Sequence, residues 1–308
     1  MTKQEKEDLE LYIAITLILS NRIFEDGLKK VKKLYAKQAK DLDKILEVVG
    51  AKVLTSWAED GLSLSATKGK EALSEINVLV TKLMGEELKL ETKTFAELLG
   101  EVASEQYTAQ GYSIGLGLKG YKLSDVKLKV IEEIISERVD GMNWINRTGV
   151  NKAQLEASLK DEIAKLMKGE STPEKMTRNV KKQFGMSAFD TERLARTETA
   201  RVQGRANEEF AKENGVETQL FIATLDNRTS NTCQHFDGQE FDVNDPNKPI
   251  PPLHPFCRSI LSNIPERGWR PTTRRDNLTN DTVAWQDYEA WKKENGVVNI
   301  YTDKKSKG

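Results

Sequence analysis

Residues 190–225 read DTERLARTETARVQGRANEEFAKENGVETQLFIATL, and within this stretch the hydrophobic period changes. Ala195, Thr199, Val202, Ala206 and Phe210 recur every three or four positions, which predicts a helix that begins near the N-cap residue Asp190 and is ended by Gly215. The stripe is mostly small, so another element can approach this helix closely. From Gln219 to Leu225, branched and aromatic residues follow with the period of a strand. A helix that hands over to a strand so abruptly predicts an α+β module whose sheet follows its helices.

Toward the N-terminus the pattern is helical. A helix is expected from Asn151 to about Lys168, stopped by Gly169. Ser171 or Thr172 caps the next, with Pro173 and Glu174 in its first turn, Met176, Val180 and Phe184 as its buried edge, and Gly185 at its end. Earlier still, Leu28, Val31, Tyr35, Leu42, Ile45 and Val49 form an inward stripe beside a solvated face of Lys29, Lys30, Lys32 and Lys33. Gly50, Gly61 and Gly69 read as punctuation, and Glu71 to Met84 and Phe95 to Tyr107 as further helices. Gly115, Gly117 and Gly120 satisfy G-x-G-x-x-G, but the preceding segment has helical spacing. They therefore read as a connection to a helix starting near Ser124 and Asp125, not as a dinucleotide fingerprint. The apolar run Leu11 to Leu19 is too short to span a bilayer and reads as a buried helix start.

Toward the C-terminus, Asp226 to Ser230 should turn, Phe241 should lie on a second short strand, and Ser259 to Ile264 suits a third. The expected architecture is therefore α+β and mainly α: a helical N-terminal region over 1–130, a helix-plus-small-sheet module over 131–265, and an amphipathic tail over 266–308. Trp269, Trp285, Tyr288 and Trp291 are that tail's expected docking residues.

The charges nearly cancel, with 47 Lys plus Arg against 48 Asp plus Glu, so the chain as a whole is not a strongly basic nucleic-acid binder. Two cysteines make no disulfide framework, and the N-terminus does not resemble a secretory signal. A reducing compartment is expected. The chain's two cysteines and two histidines, Cys233, His235, His254 and Cys257, all fall between positions 233 and 257. His254 and Cys257 have H-x-x-C spacing, which lets a tight turn offer two ligands to one ion, and Cys233 could supply a third from the opposite loop. Asp237 or His235 is the candidate for the fourth. If residues 233–237 were extended, Asp237 would point the same way as Cys233 and His235 would point away. Three outcomes stay open: a structural Zn2+ site, a metal-free clasp in which Arg258 pairs with Asp226 or Asp237, and a Cys233–Cys257 disulfide. Arg196, Glu198, Arg201 and Arg205 crowd one helix. They read as a solvated face, an intramolecular network, or a patch for phosphate or a partner.

Three motifs in order, LARTETARVQGRANEEFAKENGVE from residue 194, FIATLDNRTSNTCQHFDGQEF from 221 and PPLHPFCRSI from 251, resemble those of the Mu F-like minor head, or head morphogenesis, proteins of tailed bacteriophages and prophages. The likeness covers residues 130 to 265. The closing TVAWQDYEAWKK resembles the tail that follows this module in phages of Gram-positive hosts. The resemblance implies a minor capsid protein, incorporated in few copies at the portal vertex during procapsid assembly in the host cytoplasm. It would reside in the virion, inside the capsid near the portal, and contact or accompany the packaged DNA during ejection. Its implied partners are the portal protein, a scaffold or major capsid protein, and double-stranded DNA held non-specifically; no membrane is implied.

The family's motif positions here are Arg196, Thr197 and Glu198, then Asp226, Thr229, Cys233, Asp237 and Gly238, then His254, Cys257 and Arg258. Many relatives have a C-x-x-C pair where this chain has Ser230 and Cys233, so a four-ligand site does not carry over. Arg201, Arg205, Arg274 and Arg275 are the candidate phosphate contacts. The alternative function is a zinc-dependent hydrolase or nuclease, with Asp237, Glu240 or Asp242 as base. The chain lacks the H-E-x-x-H pattern such enzymes use, so no enzyme is expected.

Overall fold

In the computed structural model, residues 3–60, 66–117, 128–264 and 267–299 are described. Their elements run α1 (Lys3–Asp60), α2 (Ala66–Gly117), α3 (Leu128–Ser136), α4 (Trp144–Met167), α5 (Pro173–Glu213), β1 (Thr218–Ile222), α6 (Asn231–Phe236), β2 (Glu240–Asp242), β3 (Ile260–Ile264), β4 (Thr273–Arg275), β5 (Thr282–Ala284) and α7 (Tyr288–Glu294). The mainly helical α+β architecture is as expected.

The helices are longer and fewer than their glycines suggested. Gly50 lies inside α1, Gly69 inside α2, and Gly185 and Asp190 inside an unbroken α5. An interior glycine costs about 1 kcal/mol relative to alanine, too little to stop a helix whose apolar face continues on both sides. Asp190 caps nothing; it pairs with Arg193 one turn on, at 3.1 Å. Helix α4 starts at Trp144, before the expected Asn151, because Asn143 and Asn146 form a reciprocal capping box. Asparagine replaces the usual Glu or Gln at the third helical position. Gly115 and Gly117 belong to α2, which removes the strand that a dinucleotide site requires; Gly61, Gly120, Ser124 and Asp125 lie outside the described residues. The run Leu11 to Leu19 is helical, its side chains lie outside the described ones, and among the described residues no helix is long and apolar enough to cross a membrane.

The chain divides into two compact units. One comprises residues 28–98 and 136–195. Its core joins Leu42, Ile45, Val49 and Val53 of α1, Ile76, Val80 and Met84 of α2, Leu155, Leu159, Ile163 and Leu166 of α4, and Met176 and Val180 of α5. These positions repeat at three and four residues, the spacing of one helix face. Inside the unit, Lys152 Nζ lies 2.7 Å from Glu91 Oε2 with both side chains buried, and Gln38 Nε2 donates to the same oxygen. Burial, reinforced by the Glu91 charge, pushes the Tyr35 hydroxyl above its ordinary range.

The other unit comprises residues 1–27, 99–135 and 196–308 and contains the strands. β1 is the centre of an antiparallel sheet of order β2-β1-β3, with Leu220 opposite Glu240 on one side and Ser262 on the other. Every β1 residue is buried. Its side chains alternate in the expected way: Leu220 and Ile222 pack with Ile264 and Trp269, Phe221 with Cys233, Cys257 and Leu261. The predicted α5 stripe is buried from Ala195 to Phe210, and Asn207 Nδ2 of that helix donates to Leu261 O of β3 at 2.7 Å. Close approach to α5 occurs at Gly204, where an added Cβ would lie 2.7 Å from Pro251 O.

The clasp and candidate metal centre

The first clasp loop follows β1 and is ordered by one carboxylate. Asp226 Oδ1 accepts from the Arg228 amide at 2.8 Å and the Thr229 hydroxyl at 3.1 Å, while Oδ2 takes the Arg258 guanidinium from the opposite loop. Burial alone would raise the Asp226 pKa. The Arg258 hydrogen bond, with the Arg228 amide, outweighs it and holds the group below its ordinary value. Thr229 Oγ1 also donates to Thr224 O. The loop then enters α6, where Ser230 is the N-cap and accepts from the Cys233 amide at 3.3 Å. Residues 231–236 are therefore helical, not extended. The expected pointing of Asp237 and His235 fails for that reason.

The second clasp loop is a tight turn. The Cys257 amide donates to His254 O at 3.1 Å, and Phe256 takes φ 62°, a left-handed conformation that costs a bulky residue about 1–2 kcal/mol. His254 Nδ1 lies 2.9 Å from Pro255 O. A carbonyl only accepts, so Nδ1 carries a proton and Nε2 is the ring atom that faces the sulfurs.

The two loops bring three soft donors together. Cys233 Sγ is 3.3 Å from His254 Nε2 and 3.7 Å from Cys257 Sγ, and all three ligand atoms lie within 4.8 Å of one another. Both cysteines are free and buried; a disulfide needs sulfurs about 2.05 Å apart. Hydrogen bonding from Cys233, with a further contribution from His254, lowers the Cys257 thiol to about 4, whereas Cys233, the partner that keeps its proton, is raised. The hydrogen bond to Cys257 raises His254 in turn.

The two candidates for a fourth ligand lie elsewhere. His235 is exposed, its ring edge-on to Phe236 at 5.0 Å. Asp237 is buried and fully engaged. Its Oδ1 accepts from the Ala223 amide at 2.7 Å, its Oδ2 from Arg274 at 2.8 Å and from the Tyr288 amide at 2.6 Å. Gly238, at φ 79°, turns the chain into β2. Among the described residues no other His, Cys, Asp or Glu joins the three donors.

Asp237 also fastens the C-terminal segment. Arg274 adds hydrogen bonds to Ala223 O and Gln286 O, and its guanidinium lies over Trp285 at 4.7 Å. Tyr288 and Trp291 pack on Leu225 with neither exposed, and the Tyr288 hydroxyl donates to Asp226 O at 2.7 Å. The tail aromatics Tyr288 and Trp291 thus dock on the chain's own clasp.

Arg201 donates to Glu198 at 2.8 Å and to Ile134 O and Ile135 O at the end of α3. It satisfies carbonyls that a helix C-terminus leaves unpaired, so the intramolecular network is the reading its geometry fits. Arg196, Thr197 and Arg205 are half-buried and have partners. Arg201 and Arg274, two of the four candidate phosphate contacts, are buried and committed internally; Arg275 is exposed and donates to Asn280 at 2.9 Å.

Several residues of the site carry no sequence signal. The Asp237 partners Arg274 and Tyr288 are far away in the chain. So is Asn299, which donates to Thr229 O at 2.8 Å. Lys248 bridges Glu208 at 2.5 Å, Gln219 at 2.9 Å and Val243 O at 2.6 Å while buried. Gly204 lies across α5 from the small-residue stripe, two residues from both Val202 and Ala206, so the stripe does not announce it.

Comparison with curated proteins and with solved structures found no match. Residues 138–262 match the family described as Phage Mu protein F like protein. That segment holds α4, α5, the three-stranded sheet up to Ser262 and all three soft donors, and over it the chain is similar to the Mu F-like phage head morphogenesis proteins.

Proposed function

We propose that the protein is a minor capsid component that enters the procapsid in few copies at the portal vertex, with the helical N-terminal region as its arm for portal or for scaffold or major capsid protein. The observation that carries this reading is the family match together with the use the module makes of its motif residues. Glu198, Asp226, Thr229, Asp237 and Arg258 all bind other parts of the same chain. Residues spent in this way build a rigid module for assembly; none is left poised over a substrate. Exposed Leu54 and Val78 supply apolar contact for the arm.

The hydrolase reading loses support at its bases. Asp237 binds Arg274, Glu240 binds Arg270, and Asp242 binds Arg267 at 2.6 Å. Each is tied down by a cation, and none belongs to the donor cluster.

Contact with packaged DNA rests on exposed cations such as Arg267 and Arg275. It would be non-specific and would weaken steeply with salt; a duplex affinity equal at low and high salt contradicts it. The whole reading is tested by co-producing the chain with its portal and procapsid proteins and sedimenting the particles. Co-sedimentation is expected. A chain that stays at the top of the gradient overturns the proposal.

A further inference from the structure

The three donors on the two clasp loops have an arrangement that suits one ion. We propose that Cys233, His254 and Cys257 hold a single Zn2+ as a Cys2His site whose fourth corner is taken by water. The inference stands apart from the head-assembly reading, and either can fail without the other.

Distance is the first argument. Zn–S bonds of about 2.3 Å and Zn–N bonds of about 2.0 Å set tetrahedral edges of about 3.8 Å between sulfurs and about 3.5 Å between sulfur and nitrogen. The 3.7 Å and 3.3 Å separations here sit close to both.

Orientation is the second. Pro255 O holds the Nδ1 proton of His254, leaving Nε2 to face the sulfurs. A carbonyl that fixes the tautomer from behind is the usual outer partner of a metal-bound imidazole.

Preorganisation is the third. Cys233 is fixed by the Ser230 cap and α6. Cys257 is flanked by Arg258, whose side chain is held by Asp226 and whose carbonyl accepts from the Thr224 hydroxyl at 3.1 Å. The same ties therefore set the gap between the two loops before any ion enters. Phe221, Ala223 and Leu261 pack with the two cysteines, and among the described residues no carboxylate joins the three donors. Two thiolates and an imidazole favour zinc over magnesium or calcium. Binding displaces to solvent whatever proton the two sulfurs still carry and changes no oxidation state.

The test uses the full chain without a histidine tag. Metal analysis of the purified protein should give about one zinc per chain, and Cys257→Ser and His254→Ala should each lose most of it. Cobalt(II) added to the zinc-free protein gives a readout that needs no variant. Cys233 and Cys257 are the chain's only thiols, so a thiolate-to-cobalt charge-transfer band with tetrahedral d–d absorption can arise only from them. Ser230→Cys would add a ligand at C-x-x-C spacing and should slow the removal of zinc by a chelator. Three results each overturn the proposal: wild-type protein with neither zinc nor the cobalt band, zinc content unchanged in both ligand variants, and a Cys233–Cys257 disulfide that leaves no titratable thiol.

Discussion

The two units solve the problem of order in different ways. The helical unit joins continuous apolar faces from α1, α2, α4 and α5 and carries a deeply buried ion pair, Lys152 with Glu91. The unit with the clasp has short strands and loops, so individual side chains do what a continuous face does elsewhere. Asp226, Asp237 and Lys248 each satisfy several loop groups at once. The helical unit should therefore tolerate surface and backbone changes that the clasp unit does not.

The largest effect is expected at Asp237. Replacing it with alanine leaves Arg274 buried without its counter-charge and frees the Ala223 and Tyr288 amides, at a cost of about 3–5 kcal/mol. Denaturant unfolding should register the loss. Lys152→Met is the matching break in the helical unit, about 3 kcal/mol because Glu91 is left charged and buried. There the double change Lys152→Met with Glu91→Leu should regain most of the stability, since apolar residues can replace a buried pair. If both units lose equally and the double change regains nothing, the contrast is wrong.

Two glycines of the same helix sharpen it. Gly204→Ala drives a Cβ to 2.7 Å from Pro251 O and should cost about 1–3 kcal/mol through overpacking. Gly185→Ala meets nothing within 4 Å and should stabilise by about 0.5–1 kcal/mol. Thermal melts of the two variants should move in opposite directions. Smaller still, Leu54→Glu and Val78→Glu should weaken portal association while shifting stability by no more than about 0.5 kcal/mol.

The smallest effect concerns pH. The folded Asp226 pKa lies below its ordinary value, so its contribution is present above about pH 4 and is lost as pH falls through the folded value. The stability gap between wild type and Arg258→Met should accordingly narrow in acid. A gap unchanged from neutral pH down to strong acid would remove Asp226 as the partner that matters.

The same contrast explains what could be read in the sequence. Periodicity gave the α5 stripe, β1, the strand at Phe241 and β3, because each depends on neighbours in the chain. Gly215, at φ 67°, ends α5's run as a left-handed glycine should. The glycines at 50, 69 and 185 misled, because sequence alone does not show that an apolar face continues past them. Residues 231–236 form a helix too short for periodicity to reveal, set by one serine cap. Arg258 with Asp226 was one of two pairings the composition allowed. Arg274 with Asp237 joins residues 37 apart, and nothing local announces it.

Hydrogen exchange on the intact protein, with and without a zinc chelator, tests the division between the units most directly. Chelation should strip protection from β1, α6 and β3 and from α7, which is fastened to the clasp through Asp237 and Asp226, while residues 28–98 and 136–195 keep theirs. Loss of protection spread evenly over both units, or no loss in either, would contradict an account in which side-chain ties around the proposed zinc site hold one unit and apolar helix faces hold the other.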